Sequence, residues 1–270
     1  MQIMRGYFVS IITTCLNGER YLRKYFESVR RQTFRDIELI FINDGSTDNT
    51  RKIASLYQSK LMQAGIKCIF INYDTNKGTS YAVNEALKLF TGKYLMFVDS
   101  DDIMYPGHIA EKIAFMEKNR DYAWAVCRTR KVDERGKELG VLSVKHFKDT
   151  ENLFERFIRC KDVYFTPIGY IYRSECFIDS NPERDIFVSR VGQNWQLVLP
   201  MAYKYECAFI DKVLCDYTVR TDSSSHSERK RNKKDGGEAR KTVLLETIKR
   251  VVPEPERVKY IKIIEGIYAK

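Results

Sequence analysis

An α/β fold with a mixed, mostly parallel sheet flanked by helices is what this sequence predicts, on three observations. Apolar, β-branched runs of strand length alternate with segments of helical periodicity over the first hundred residues. The strands read as unbroken apolar runs, as strands buried on both faces do. Three of them end in polar clusters, Asn17-Gly18-Glu19, Asn43-Asp44-Gly45-Ser46 and Asp99-Ser100-Asp101. Open parallel sheets bind ligands at the carboxyl ends of their strands, so three clusters on one rim define a candidate site.

Tyr7 to Thr14 is the first strand, stopped by the turn signal Asn17-Gly18. Tyr21, Leu22, Tyr25, Phe26 and Val29 then recur at helical spacing, which predicts a helix with one face on the sheet. Ile37 to Ile42 is the second strand; after it Asp48 suits a helix N-cap, and Ile53, Leu56, Tyr57 and Leu61 carry the helical period. Ile66 to Ile71 is the third strand, and Ala82, Val83, Ala86, Leu87 and Phe90 mark the third helix. The fourth strand is the short apolar run after Gly92-Lys93, and the order so far is βαβαβαβ.

Beyond Pro106 the rhythm changes. A helix around Ile109, Ile113 and Met116 precedes a strand from Tyr122 to Cys127, and Arg128 to Lys137 reads as a charged hairpin or loop. Leu153, Phe154, Phe157 and Ile158 predict an amphipathic helix, Ile168 to Tyr172 a strand, and Trp195 to Tyr203 a helix that Pro200 should end or kink. Glu206 to Tyr217 reads as two short strands meeting near Asp211-Lys212. Residues 222–241 are rich in Ser and charge and are expected to be mobile; 242–270 reads as a helical tail broken at Pro253 and Pro255.

The fourth strand ends in three carboxylates within four residues, Asp99, Asp101 and Asp102. In an extended segment Asp99 and Asp101 point the same way and Asp102 the other. Adjacent like charges repel unless a cation lies between them. Hard carboxylate oxygens suit Mg2+ or Mn2+, which keep coordination positions for water or phosphate. The alternative is a strand-end turn whose Asp caps the next helix, above all for Asp102 ahead of Pro106.

Composition bounds the function. At 270 residues the chain can bury a full core as one large or two small domains. No apolar run approaches the roughly 20 residues that span a bilayer, and no charged-then-apolar signal segment opens the chain, so a cytoplasmic protein is expected. The seven cysteines form no C-x-x-C, which favours reduced core thiols over disulfides or zinc, and three histidines argue against a His-based metal cage. Much of the net charge of +10 is concentrated around Glu228 to Lys234, so a local patch that meets anionic lipid, or a solvated tail, is expected. Nucleic-acid binding would rest on charge alone, without basic and aromatic residues interleaved. A dinucleotide-binding dehydrogenase is excluded because no G-x-G-x-x-G follows the first strand, and the P-loop pattern is absent.

The order and spacing of Val9-Ser10-Ile11-Ile12, Asn17-Gly18-Glu19-Arg20-Tyr21-Leu22, Gln32-Thr33-Phe34, Asn43-Asp44-Gly45-Ser46-Thr47-Asp48, Asn76-Lys77-Gly78 and Gly92-Lys93-Tyr94 through Asp102 resemble the family-2 glycosyltransferases of GT-A (Rossmann-like) fold. The match is close over residues 7 to about 110 and continues weakly through Gln193-Asn194-Trp195, Asp216-Tyr217 and Ser223-Ser224-Ser225-His226. The resemblance implies inverting transfer of a sugar from a nucleotide diphosphate to an acceptor hydroxyl, with Mn2+ or Mg2+ as cofactor. It implies that Thr14, Glu19 and Asp44 hold the nucleobase and ribose, with Asn17, Lys77 and Ser100 also on the nucleotide sugar. Asp44 can accept from a uracil imide N–H, which points to a UDP-sugar. Asp101 would ligate the metal, and Asp99 would contact ribose, sugar or metal. His226 would close over the donor as a further metal ligand, within a lid over Thr221 to Lys234.

Two departures bear on that reading. The family carries Glu-Asp before the tryptophan, the Asp being the general base, and here the pair is Gln193-Asn194. An amide cannot take the acceptor proton at neutral pH, so Asp185, Glu183 and Asp216 are the replacement candidates, with Asn194 left to orient the acceptor. Val83 stands where the family often has Arg. The expected organisation is a nucleotide-sugar-binding half (1–110), an acceptor-side half of the same domain (111–220), a mobile basic lid or linker (221–241) and a helical tail (242–270). The expected activity is transfer of a hexose or N-acetylhexosamine to a glycan or polyprenyl-diphosphate-linked acceptor in bacterial surface polysaccharide synthesis, with Arg229 to Lys241 on an anionic inner membrane face. A catalytically altered donor-binding protein is the alternative.

Overall fold

The structure is a computed structural model, and it describes residues 8–142, 153–220 and 235–269. Strands β1 (Val9–Cys15), β2 (Ile37–Asn43), β3 (Lys67–Asn72) and β4 (Tyr94–Phe97) alternate with helices α1 (Leu22–Arg30), α2 (Thr50–Gln63) and α3 (Thr79–Leu87). They pair parallel in the order β3-β2-β1-β4, with Val9 opposite both Ile37 and Tyr94. Consecutive strand residues feed opposite layers: Ile11 and Leu39 pack with Phe26 and Tyr57, whereas Ile12 and Ile40 pack with Ala82 and Leu87. Burial on both faces is what made these strands read as unbroken apolar runs.

The second half extends the same sheet. β5 (Ile103–Met104), α4 (His108–Lys118), β6 (Trp124–Asp133), β7 (Glu138–Leu142), α5 (Leu153–Arg159), β8 (Tyr170–Arg173), α6 (Ser174–Ser180), α7 (Gln193–Lys204) and β9 (Cys207–Val219) follow in the chain. The sheet continues β4-β8-β6-β9-β5, antiparallel at β4-β8, β8-β6 and β9-β5, with β7 hairpinned onto β6. The expected fold class holds, and several boundaries move. The charged stretch 128–133 belongs to β6, because its alternate residues pair with both β7 and β9. Glu206 to Tyr217 is not two strands but part of one, β9, whose register against β6 slips between Cys127 and Thr129, so the break expected at Asp211-Lys212 is a bulge. Pro200 does not end α7: Leu197, Val198, Leu199 and Met201 are all buried around it, and that burial outweighs a local cost of about 3 kcal/mol.

Helices α8 (Asp235–Val251) and α9 (Arg257–Tyr268) close the described chain. Residues 235–241 are therefore helix and not linker, while 221–234 lie outside the described residues. The tail packs on α5, where Phe154 meets Tyr260 of α9 at 4.8 Å between ring centroids; Phe154 also meets Tyr203 of α7 at 5.1 Å. No helix among the described residues is long and apolar enough to cross a membrane.

One buried charge ties the strands together. Glu38 on β2 is wholly buried, accepting from Ser10 Oγ (2.8 Å), Lys67 Nζ (3.0 Å), Thr91 N (3.1 Å) and Thr91 Oγ1 (3.1 Å). These bonds fix β1 and β3 to β2, and all three to the approach to β4.

Candidate active site

The loops after β1 and β2 form one wall. Asn17, at φ 51°, donates its N–H to Ser46 Oγ (2.8 Å) and accepts from Thr47 N (2.9 Å). Gly18 N–H reaches Thr50 Oγ1 (2.8 Å), and Glu19 accepts from Asn49 N (3.0 Å) and Nδ2 (2.8 Å). Asp48 is not the N-cap of α2; that residue is Asn49, and Asp48 instead accepts from Glu19 N (3.0 Å) and Thr50 N (2.9 Å). Asn17 and Glu19 thus brace the rim with the very groups assigned to the nucleotide sugar.

Asp44 sits beneath that wall, almost fully buried, and accepts from Lys77 N (2.8 Å) and Gly78 N (2.9 Å). Gly45 allows this approach: its φ is +71°, and a Cβ there would lie 2.3 Å from the Thr75 backbone. Each carboxylate oxygen has two lone pairs, so Asp44 keeps acceptor capacity toward a base edge. The Lys77 ammonium lies over the rings of Tyr73 (4.4 Å) and Tyr81 (4.8 Å), at the same loop.

The acidic stretch is a turn and not an extended strand end: β4 stops at Phe97, and Asp102 N–H bonds back to Asp99 O (3.1 Å). Strand alternation therefore does not set the directions of these acids. The turn, Thr218 of β9 and Arg220 set them. Arg220 Nη1 lies 3.1 Å from Asp101 Oδ2, with its guanidinium over the Tyr21 ring at 5.1 Å. Burial, then the Asp101 charge, push the Asp99 carboxyl up to about 7 against an opposing pull from Arg220. Asp99 and Asp101 are neighbouring carboxylates with the guanidinium of Arg220 on Asp101, and a hard divalent ion fits such a pair because it offsets their mutual repulsion.

Another grouping among the described residues, His108, Cys127 and Cys215, brings its ligand atoms within 4.8 Å of one another in the core. The buried Lys112, bonded to Ile168 O (2.7 Å) and Tyr170 O (3.2 Å), already acts there as the positive charge on the Cys127 thiol, so a cation is not needed.

Asp102 faces away from the rim. It is wholly buried, Oδ1 accepts from Thr218 N (2.9 Å), Oδ2 has no partner, and burial, then Asp101 and Asp99, hold its carboxyl well above the usual range. A raised carboxyl keeps its proton in the fold after the unfolded chain has released one, so its contribution is full below about pH 4 and declines as pH rises. Asp102→Asn should therefore leave the melting temperature at pH 7 unchanged or higher and flatten the decline between pH 4 and 8. Asp102→Ala should cost about 1–3 kcal/mol by leaving the Thr218 N–H unpaired. Thermal melts across that range check both; a clear loss for Asp102→Asn at pH 7 would refute the neutral form.

The acids and the amide pair share a cavity. Thr14, Asp99, Gln193 and Asn194 line a small space of about 20 Å³ with Thr79, Val83 and Leu197. It adjoins a cleft of about 510 Å³ that shares Thr79, Gln193 and Asn194 and continues to Lys131, Arg190 and Arg240. Asn194 Nδ2 donates to Phe165 O (3.1 Å), a contact that a carboxylate cannot make. Two of the expected bases are engaged elsewhere. Asp185 pairs with Arg250 of α8 at 2.8 Å, lines neither space and is 41% exposed. Asp216 is held bidentately by Arg130 (2.8 and 2.9 Å) and by Tyr105 OH (2.5 Å). Ser100 lies in the turn beside the Cys15 thiol, and His226 and Arg229 lie outside the described residues. Arg220 was missed in the sequence because no spacing links it to Asp101; only the demand for a cation pointed toward such a residue.

Residues 10–178 match the family model "Glycosyl transferase family 2", so the chain belongs to that family. It is 35% identical over 133 residues to an uncharacterized glycosyltransferase of Rickettsia typhi (strain ATCC VR-144 / Wilmington), covering 48% of this chain and 39% of that one. The chain spans about two fifths of the length of such curated relatives. The S. aureus TarS fragment 1–349 in complex with UDP-GlcNAc aligns with a TM-score of 0.71 at 20% identity, over 96% of this chain and 71% of that one. Mannosyltransferase PcManGT from Pyrobaculum calidifontis, in complex with GDP-Man and Mn2+, aligns at 0.56 and 14% identity, over 98% and 70%. These two likenesses show the GT-A fold.

Proposed function

We propose that this chain transfers a hexose or N-acetylhexosamine from a UDP-sugar, with inversion, to a hydroxyl of a glycan or polyprenyl-diphosphate-linked acceptor in surface polysaccharide synthesis. The observation that supports this reading is the shared space: Asp99 of the acidic turn, Thr14 and Asn194 line one small cavity at the carboxyl ends of the parallel strands. Asp101 and Asp99 would hold Mn2+ or Mg2+, which when bound neutralises a departing diphosphate. The chain's own residues do the rest. The braced loops of Asn17, Glu19 and Asp44 present a rigid edge to the base, and rigidity keeps the ordering cost of binding low. Asp44 offers its remaining lone pairs to a ring N–H such as that of uracil, and the choice of UDP is supported by the likeness to the TarS fragment in complex with UDP-GlcNAc. Arg220 adds a positive charge beside the turn, where negative charge develops on the leaving group. The basic run Arg229 to Lys241 would give peripheral contact with an anionic inner membrane face, although its Arg240 lines the cleft.

Asn194 favours a second reading, a donor-binding protein without transferase activity, because Asp185 and Asp216 are both ion-paired. Titrating UDP and GDP calorimetrically with and without Mn2+ tests the donor assignment; UDP should bind at least tenfold tighter, about 1.4 kcal/mol. A preference for GDP would overturn the UDP-sugar assignment. Mn2+-dependent turnover of a UDP-sugar would remove the second reading, and its absence beside intact UDP binding would establish it.

A further inference from the structure

We propose that the cleft beyond Asn194 takes an acceptor sugar bearing a phosphate group, held by Lys131 and Arg190; this rests on the glycosyltransferase reading above. The cleft is lined by Lys131 of β6, Arg190 ahead of α7 and Arg240 of α8, with aromatic walls from Phe165, Trp195 and Tyr217, and among the described residues no carboxylate lines it. A site built for a neutral glycan uses carboxylates and amides to meet hydroxyls, and here the nearby acids are turned to other partners: Asp185 to Arg250, Asp216 to Arg130 and Asp101 to Arg220. Three cations around an aromatic-walled hollow select an anion with an attached ring.

The two leading cations are available for it. Among the described residues neither Lys131 nor Arg190 has an ion pair. Arg190 spends one N–H on Asn76 Oδ1 (2.7 Å), and a guanidinium carries five. That bond also fixes its direction across the cleft, over Gly78. Lys131 stands opposite Tyr217 in the β6-β9 register, and burial, then the neighbouring acids of the turn, push the Tyr217 phenol up to about 12. Tyr217 therefore stays protonated as a donor between the acidic turn and the basic cleft. Positive charge on this side also keeps a phosphorylated acceptor away from the acids and delivers its hydroxyl toward them.

The test uses the whole chain with UDP and Mn2+ at saturation, so that added phosphate reports on the cleft. N-acetylglucosamine 1-phosphate should then bind at least tenfold tighter than N-acetylglucosamine, because a charge-assisted contact adds about 1.4 kcal/mol or more. Lys131→Gln and Arg190→Gln should each reduce that preference about fivefold, Lys131→Arg should restore it, and UDP affinity of Lys131→Gln should be unchanged. A methyl phosphodiester of the sugar and a short prenyl diphospho-sugar distinguish a phosphate within a glycan from one on a lipid carrier. Equal binding of neutral and phosphorylated sugar, or displacement of the sugar phosphate by UDP, would overturn the proposal. A titration of UDP alone with Mn2+ separates the two ideas: failure of UDP to bind removes the donor reading, whereas the phosphate preference is still read from the sugar titrations repeated without nucleotide.

Discussion

Asp101→Asn should weaken UDP binding in the presence of Mn2+ by about 100-fold, close to 2.7 kcal/mol, while changing UDP binding in EDTA little. The asymmetry follows from the chemistry. Asn keeps the shape of Asp and one neutral oxygen, but it removes the charge that makes this turn attractive to a divalent ion. The variant also removes the Asp101 side of the ion pair with Arg220 at 3.1 Å, so the turn carries one negative charge fewer. Free diphosphate should be repelled less by that turn, which is why the metal-free arm is expected to hold. Calorimetry with Mn2+ and with EDTA reads both arms; an Asp101→Asn protein that binds UDP normally with Mn2+ would place the ion elsewhere. The fold should not suffer, because the backbone bond from Thr218 Oγ1 to Asp101 O (2.6 Å) is kept.

The largest effect on stability is expected at Glu38. Glu38→Ala should cost about 3–5 kcal/mol, a fall in Tm on the order of 10 °C, because it removes one partner of a buried ionic network. Four donors converge on the carboxylate, and two of them, Ser10 Oγ and Thr91 N, belong to different segments, so Glu38 ties both β1 and the approach to β4 to β2 through side-chain bonds. Alanine leaves the Thr91 N–H and the Lys67 ammonium without that acceptor. Glu38→Gln keeps the volume and one acceptor, so it should fall between wild type and Ala. Urea denaturation of the three proteins checks the order, and a cost below about 1 kcal/mol for Ala would show that the network is solvated in practice.

The first four strands were legible because their signals are local. Strand length, helical period and the polar clusters at strand ends are all written within a few consecutive residues, so β1 to β4 and their helices fall where the spacing puts them. The rest of the sheet is built by contacts distant in sequence. β5 is two residues long and exists because it pairs with Asp216 and Cys215 more than a hundred residues later. The Arg128 to Asp133 stretch became strand because β9 and β7 flank it, and Pro200 stayed helical because tertiary burial overrode propensity. The acidic run at the end of β4 was legible and its geometry was not: a turn, not strand alternation, arranges Asp99 and Asp101. The same blindness to distance hid Arg130 and Arg250, whose pairing with Asp216 and Asp185 decides what those acids can do.

The Arg220–Asp101 contact has a bearing on handling as well as on chemistry. A protein whose acidic turn brings along its own counter-charge does not depend on an added ion to remain folded, so chelators should leave it folded and unaggregated. On the proposed assignment of Asp101 as a metal ligand, an incoming cation would compete with a tethered guanidinium for the same oxygen, which would set a floor on the concentration at which loading begins. Shortening that side chain to Gln would lower the floor, turning a gated site into a permanently receptive one.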